Sequence, residues 1–229
     1  MKQVVLIMLA VVAAAVAQVT QDNVPGIGQK MKQNAEALHQ YSYKRRTEVR
    51  FKDQSRGARV ELVRYVDGKM ETVPLETPAR SPQQGRGGLR GRMVQKKKEE
   101  MKEEVEALTG LLHRYLTPAS AGMGSLLEKA SVSRTGPQPD AAVQVVAKGI
   151  VEPKDSLALT WSVVNHRPEK IEVHTELNGK PVSVTIEYAS LPDGPFYPAR
   201  TVVSSPKQDL AITIDSFEYV RAGEVRQEE

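Results

Sequence analysis

Asn178-Gly179 is the feature that most limits how this chain can fold. Both residue types tolerate positive φ, so the pair closes a two-residue hairpin whose twist suits the flanking strands. Counting outward sets Val173 opposite Val184 and Ile171 opposite Ile186, with His174 opposite Ser183 on the other face. Apolar residues meet apolar ones, and a one-residue slip would turn all of them to the wrong side. Asp67-Gly68 acts in the same way earlier in the chain, setting Arg64 opposite Glu71, Leu62 opposite Val73 and Val60 opposite Leu75. Pro74 and Pro181 fall where they do not bond across their own hairpins, which predicts a bulge or a local edge at each.

The other strands follow from alternation. Tyr41, Tyr43, Thr47, Val49 and Phe51 alternate with Lys44, Arg46, Glu48 and Arg50, a strand with one wet face. Leu157, Leu159, Trp161 and Val163 alternate with Ser156, Ala158, Thr160 and Ser162. A Pro-rich turn is predicted from Leu191 to Pro198, then a strand through Thr201–Ser204. Leu210, Ile212 and Ile214 begin a last strand whose phase shifts to Phe217 and Tyr219, which predicts a bulge near Asp215-Ser216. Helical spacing appears twice. Ile27, Met31, Ala35 and Leu38 form a short amphipathic stripe ending near His39. Val94, Met101, Val105, Leu108, Leu112 and Tyr115 form a longer one, from about Met93 to Tyr115, against a Lys/Glu-rich face. A shorter helix is predicted around Gly124 to Ala130. Antiparallel strands with helices inserted as a block give an α+β class, with one curved sheet whose face buries the helix stripes.

Residues 1–17 have the plan of a cleavable export signal: Lys2, an apolar run from Val4 to Val16, and Ala15-Val16-Ala17 as an A-x-A site. Cleavage then falls between Ala17 and Gln18, leaving residues 18–229 as a single domain. The run is shorter than the roughly 20 apolar residues of a membrane-spanning helix. No second run of that length follows, so the expected product is soluble. The chain has no cysteine, so disulfides, thiolate metal sites and an N-terminal lipid-bearing cysteine are excluded. Net charge is only +4. Basic character is local, in Arg80, Arg86, Arg90, Arg92, Lys96, Lys97 and Lys98, with no acidic residue from 77 to 98. Proline and glycine make residues 77–92 a flexible loop, followed by a helical insertion over 93–134. Such a loop is either simply solvated or a contact for an acidic partner or an anionic membrane surface. Its arginines resemble an RNA-binding segment, but no aromatic interleaves them and the export signal argues against nucleic acid.

Catalytic patterns are absent: no G-x-S-x-G elbow, no H-E-x-x-H, no phosphate-binding glycine loop. His174 stands between Glu172 and Glu176 on one strand face, a conceivable metal patch, yet that face is the solvent side of the hairpin. Asp155, Asp193 and Asp215 fall in turns or strand ends with nothing pairing them. The chain is therefore expected to be no enzyme and to need no metal or cofactor.

Ser156 to about Tyr219 resembles the outer-membrane lipoprotein carriers of the bacterial periplasm (Lol-type proteins). The residues that carry the likeness are Leu157-Ala158-Leu159-Thr160-Trp161, Lys170-Ile171-Glu172-Val173, Asn178-Gly179, Val184-Thr185-Ile186-Glu187-Tyr188 and Phe217-Glu218-Tyr219. Val164-Asn165-His166-Arg167-Pro168 stands where the family has an aspartate-led turn, and the long basic loop is also a departure. The resemblance implies a strongly curved, unclosed antiparallel barrel of about 8–10 strands, with helices covering its concave face. It implies a periplasmic carrier that holds a lipid or an acylated protein by its acyl chains. The apolar residues on that face are Leu157, Leu159, Trp161, Ile171, Val173, Val184, Ile186, Tyr188, Leu210, Ile212 and Ile214. It also implies a lid-closing arginine, a role for which Arg45 and Arg50 are both placed. The alternative is an envelope structural or interaction protein whose same face is a packed core.

Overall fold

The computed structural model describes residues 24–76, 89–116, 130–135, 142–192 and 194–222. Two helices are present among them, α1 (Val24–Leu38) and α2 (Leu89–Leu116). The strands are β1 (Tyr41–Phe51), β2 (Gln54–Val66), β3 (Lys69–Glu76), β4 (Ser131–Thr135), β5 (Ala142–Lys148), β6 (Ser156–Ser162), β7 (Arg167–Leu177), β8 (Lys180–Ser190), β9 (Phe196–Ser205) and β10 (Leu210–Arg221). They make one antiparallel sheet in the order β3-β2-β1-β10-β9-β8-β7-β6-β5-β4. The ends of that order do not pair, so the sheet is an unclosed curved barrel of α+β class.

Both hairpins form in the expected register. Val173 pairs with Val184, Ile171 with Ile186 and His174 with Ser183. Asn178 and Gly179 have φ of 54° and 72°, and Asp67 and Gly68 have 50° and 74°, the mirror-image turn that strand twist favours. In the first hairpin Val60 pairs with Glu76 rather than Leu75, because the register shifts one residue after Glu61↔Pro74. Leu75 is the extra residue of a bulge beside Pro74, on the edge strand β3. Pro181 also lies at a local edge, since β8 pairs with β9 only from Ser183 onward.

Four expectations are corrected. The turn from Leu191 is shorter than its prolines suggested, for β9 begins at Phe196 and Pro198 pairs with Tyr188. Proline is tolerated there because β10 pairs with β9 only as far as Arg200, leaving Pro198 at an edge. The bulge in β10 falls at Glu218, with φ of 53°, and not at Asp215-Ser216, which pair regularly with Arg46 and Arg45. α2 starts at Leu89, so Arg90 and Arg92 stand on a helix and not in the loop; Lys96, Lys97 and Lys98 follow on the same helix. Finally, the helical insertion does not run to residue 134, since Ser131–Thr135 is the edge strand β4. The export signal, residues 77–88 with Arg80 and Arg86, and most of the predicted short helix lie outside the described residues.

One face of the sheet is buried. Its core cluster joins strands β5 to β10 with Ile27 of α1 and Leu108, Leu111, Leu112 and Tyr115 of α2. Among the described side chains of α2, the buried ones all lie between Leu108 and Tyr115. Gln95, Lys96, Glu99 and Glu100 are exposed.

Candidate functional site

Register builds the buried face as rows that cross the sheet. Ala147, Leu157, Val173, Val184, Val203, Ile212 and Val49 stand side by side from β5 to β1. The neighbouring row is Val145, Leu159, Ile171, Ile186, Thr201, Ile214 and Thr47. Alternation is unbroken across these strands, so both rows share one face. Leu157, Leu159, Trp161, Ile171, Val173, Val184, Ile186, Leu210 and Ile212, singled out from sequence, are all buried in this cluster, and Tyr188 and Ile214 pack against it. Phe196 adds an aromatic corner that sequence reasoning assigned to a turn. Its ring meets Trp161 edge-on at 6.3 Å and Tyr188 at 6.0 Å. Burial raises the pKa of Tyr188 well above the phenol range, which keeps this corner neutral.

A polar clasp holds the last turn of α2 to the sheet. Tyr115 donates its hydroxyl to Asp155 Oδ2 at 2.5 Å, and Thr175 Oγ1 lies 3.1 Å from the Tyr115 hydroxyl oxygen. Asp155 also accepts the backbone N–H groups of Ile150 (2.6 Å), Val151 (3.0 Å) and Glu152 (2.8 Å). Burial works against the carboxylate's charge, but these donors outweigh it and hold its pKa below the usual range. Tyr115 is pushed up to about 12, by burial first and then by its bond to Asp155. Sequence reasoning left Asp155 as an unpaired turn residue. The spacing Glu152–Asp155 around Pro153 is a loop signal and carries no hint of a partner 40 residues earlier.

Beyond β10 the same face changes character. On β1 and β2 the rows continue as Thr47–Arg59 and Arg45–Glu61, then Tyr43–Val63. Arg45 Nη2 lies 3.0 Å from Glu61 Oε2, and Arg59 Nε lies 3.5 Å from Glu61 Oε1. Glu61 is only 7% exposed. Of the two arginines placed for a lid-closing role, Arg45 is on the buried face but pairs with the sheet residue Glu61. Arg50 is exposed and donates to the backbone carbonyl of Asp53. Tyr43 stacks on Tyr219 at 4.7 Å, Tyr219 meets Tyr197 at 4.3 Å, and Tyr65 stacks on His39 at 4.1 Å. α1 is fixed beside them by Asn34, which donates to the Phe196 carbonyl at 2.6 Å and accepts its N–H at 2.8 Å.

The solvent face carries no assembled chemistry among the described residues. His174 is exposed, and Glu172 and Glu176 pair with Lys170 and Lys154. No group of three metal-ligating side chains occurs there or elsewhere among the described residues. No described helix is long and apolar enough to cross a membrane.

No protein-family model matches the chain, and no curated protein sequence does. Among solved structures, an outer membrane lipoprotein-sorting protein domain from Vibrio parahaemolyticus is similar with a TM-score of 0.48 and 9% identity, over 91% of this chain and 96% of that one. A DUF1329 family protein from Desulfovibrio piger gives a TM-score of 0.45 and 7% identity, over 90% and 95%. A LolA superfamily protein from Nitrosomonas europaea gives 0.34 and 9%, over 85% and 94%. Two of the three bear descriptions of the kind that the strands of residues 156–219 resemble.

Proposed function

We propose that this chain is a non-catalytic, exported carrier that holds the acyl chain of a lipid or an acylated protein against its buried sheet face. The observation that carries this reading is the pair of rows from β5 to β1, apolar but for Thr201 and Thr47, covered among the described residues by Ile27 of α1 and the last turns of α2. An acyl chain laid along such rows gains roughly 0.8 kcal/mol for each methylene it buries. It does so by displacing Leu108, Leu111 and Leu112 from the positions they fill in the closed form. The export signal read at residues 1–17 supports a periplasmic location. The basic run Arg90, Arg92, Lys96, Lys97 and Lys98 on the N-terminal half of α2 suits an anionic membrane surface, where each cation contributes on the order of 1 kcal/mol.

A second reading is favoured by one feature. Leu108 and Leu111 are no more than 1% exposed, so the face is a filled core in the closed form, as an envelope interaction protein would have it.

Trp161, the single tryptophan, separates the two readings. Protein exported and purified without detergent is titrated with brominated fatty acid, and parallel native mass spectra are searched for co-purified lipid. The carrier reading expects saturable quenching of Trp161 and a lipid adduct. Emission that stays blue and unquenched at saturation, with no adduct, leaves the packed-core reading.

A further inference from the structure

The charged corner of the inner face is built for something the sheet itself does not supply. On this face of β1 to β3 the charged side chains are Arg45, Arg59 and Glu61, two guanidinium groups to one carboxylate. Glu61 is buried and shared, its Oε2 facing Arg45 and its Oε1 facing Arg59. One positive charge is therefore left over, at a corner where Arg59 is exposed and Arg45 largely buried. Arg45 Nε is buried and has no hydrogen-bond partner, although a buried donor without an acceptor is costly and native proteins rarely keep one. The phenols of Tyr43 and Tyr65 feel the same guanidinium. Burial raises both their pKa values, and the charge of Arg45 opposes that rise in each. By register Arg45, Tyr43 and Tyr65 share this face, and a guanidinium with two phenols is a donor set for an oxyanion.

The position of this corner matters as much as its chemistry. Ile214, at the end of the apolar row, pairs with Thr47, and Arg45 is the next residue of β1 on the same face. Two residues along a strand is about 7 Å. The apolar surface thus runs without interruption into the cationic one.

We propose that Arg45, with Tyr43 and Tyr65, binds the oxyanionic head, carboxylate or phosphate, of the amphiphile whose tail lies on the apolar rows. The proposal rests on the acyl-carrier reading above and adds a polarity to it: tail toward β6, head on β1 and β2. Glu61 is then a positioning residue. It holds the guanidinium on the sheet and tempers its affinity, so that the head is captured reversibly.

Calorimetric titration of the delipidated protein with decanoate, decyl phosphate and decanol tests this at constant tail length. The anions are expected to bind about tenfold or more tighter than decanol, the gain of a charge-assisted bidentate contact. Arg45→Gln should reduce the anions to the affinity of decanol, and Arg45→Lys should recover part of the difference. Glu61→Gln frees the guanidinium and should tighten the anions further while leaving decanol where it was; this second variant keeps the test decisive where Arg45→Gln does not fold. A preference for phosphate over carboxylate supports the site and names a lipid headgroup as the source, and the reverse supports it with a free fatty acid. Equal binding of all three by the native protein, or an anion advantage that survives Arg45→Gln, overturns the head site and leaves the acyl reading standing. Failure of all three to bind overturns the acyl reading and this one with it.

Discussion

β5 to β10 and β1 to β3 share one sheet and one pleat, yet different physics stabilises them. In the first region the inner face is mostly apolar, with Thr175 and Thr201 as buried exceptions, and α2 and Ile27 of α1 complete its core. In the second, Glu61 and Val63 are the buried residues of β2, and Met70, opposite Tyr65 on the same face, is 48% exposed. Aromatic stacking and a shared ion pair there replace aliphatic packing. The lesson is that alternation decides which way a side chain points, whereas burial depends on what arrives to cover it. Helices arrive over one half of this sheet and largely miss the edge of the other.

The contrast is most easily broken with a charge. Val173 is fully buried in the middle of the apolar rows, and Val173→Asp should abolish cooperative folding, because an unpaired carboxylate there has no partner. A sharp thermal transition surviving in that variant would mean that the rows are wet. Truncation sharpens the comparison. Leu111→Ala, at 1% exposure, should cost about 2–5 kcal/mol in chemical denaturation. Met70→Ala on the same face of the edge strand, at 48% exposure, should stay within about 0.5 kcal/mol of the native protein. Similar losses at the two positions would show that the edge is covered after all.

The clasp between α2 and the sheet gives an effect of intermediate size with a pH signature. Asp155 keeps its charge to lower pH in the folded chain than in the unfolded one. Its contribution is therefore complete above about pH 4 and is lost as pH falls through the lowered folded value. Tyr115 works in the other direction: its pKa is raised to about 12, so its contribution holds below about pH 10 and fades as pH climbs from there. Asp155→Asn should cost about 1–3 kcal/mol at neutral pH. Melting curves of native and variant protein should converge as the pH is lowered below about 4, and parallel curves down to pH 2 would remove the carboxylate from the account. Tyr115→Phe should be milder, about 1 kcal/mol, since it leaves the three backbone donors on Asp155 in place.

Much of this architecture is legible in local chemistry. Asn178-Gly179 and Asp67-Gly68 fix two registers, and every apolar residue picked from β6 to β10 belongs to the buried cluster or packs against it. What was illegible depends on distant partners. Arg45 falls by alternation on the same face as Tyr43 and Thr47, but only the pairing of β1 with β2 reveals that it faces Glu61. Asp155 reads as a turn former, and its partner Tyr115 arrives from a helix. β4 reads as a polar stretch because it is one: Ser131, Ser133, Arg134 and Thr135 are exposed, and its pairing with β5 comes from the edge it covers. Leu111, outside the predicted stripe, is buried because the helix face presented to the sheet is wider than a two-residue-per-turn seam.

The place of β10 in the strand order has a consequence for how the chain is made. The last strand in the sequence lies between β1 and β9. Until it emerges, β1–β3 and β4–β9 are two separate meanders with no hydrogen bond joining them. Every other pairing in the sheet links strands that follow one another in sequence, and the seam from Tyr41 to Arg221 alone spans nearly the whole chain. Loop-closure entropy makes such a seam the slow event of assembly. A chain built this way holds two incomplete half-sheets until its C-terminal strand arrives. Loss of β10 would leave them with no strand to join them, so its twelve residues act as a timer for the whole fold as well as a part of it.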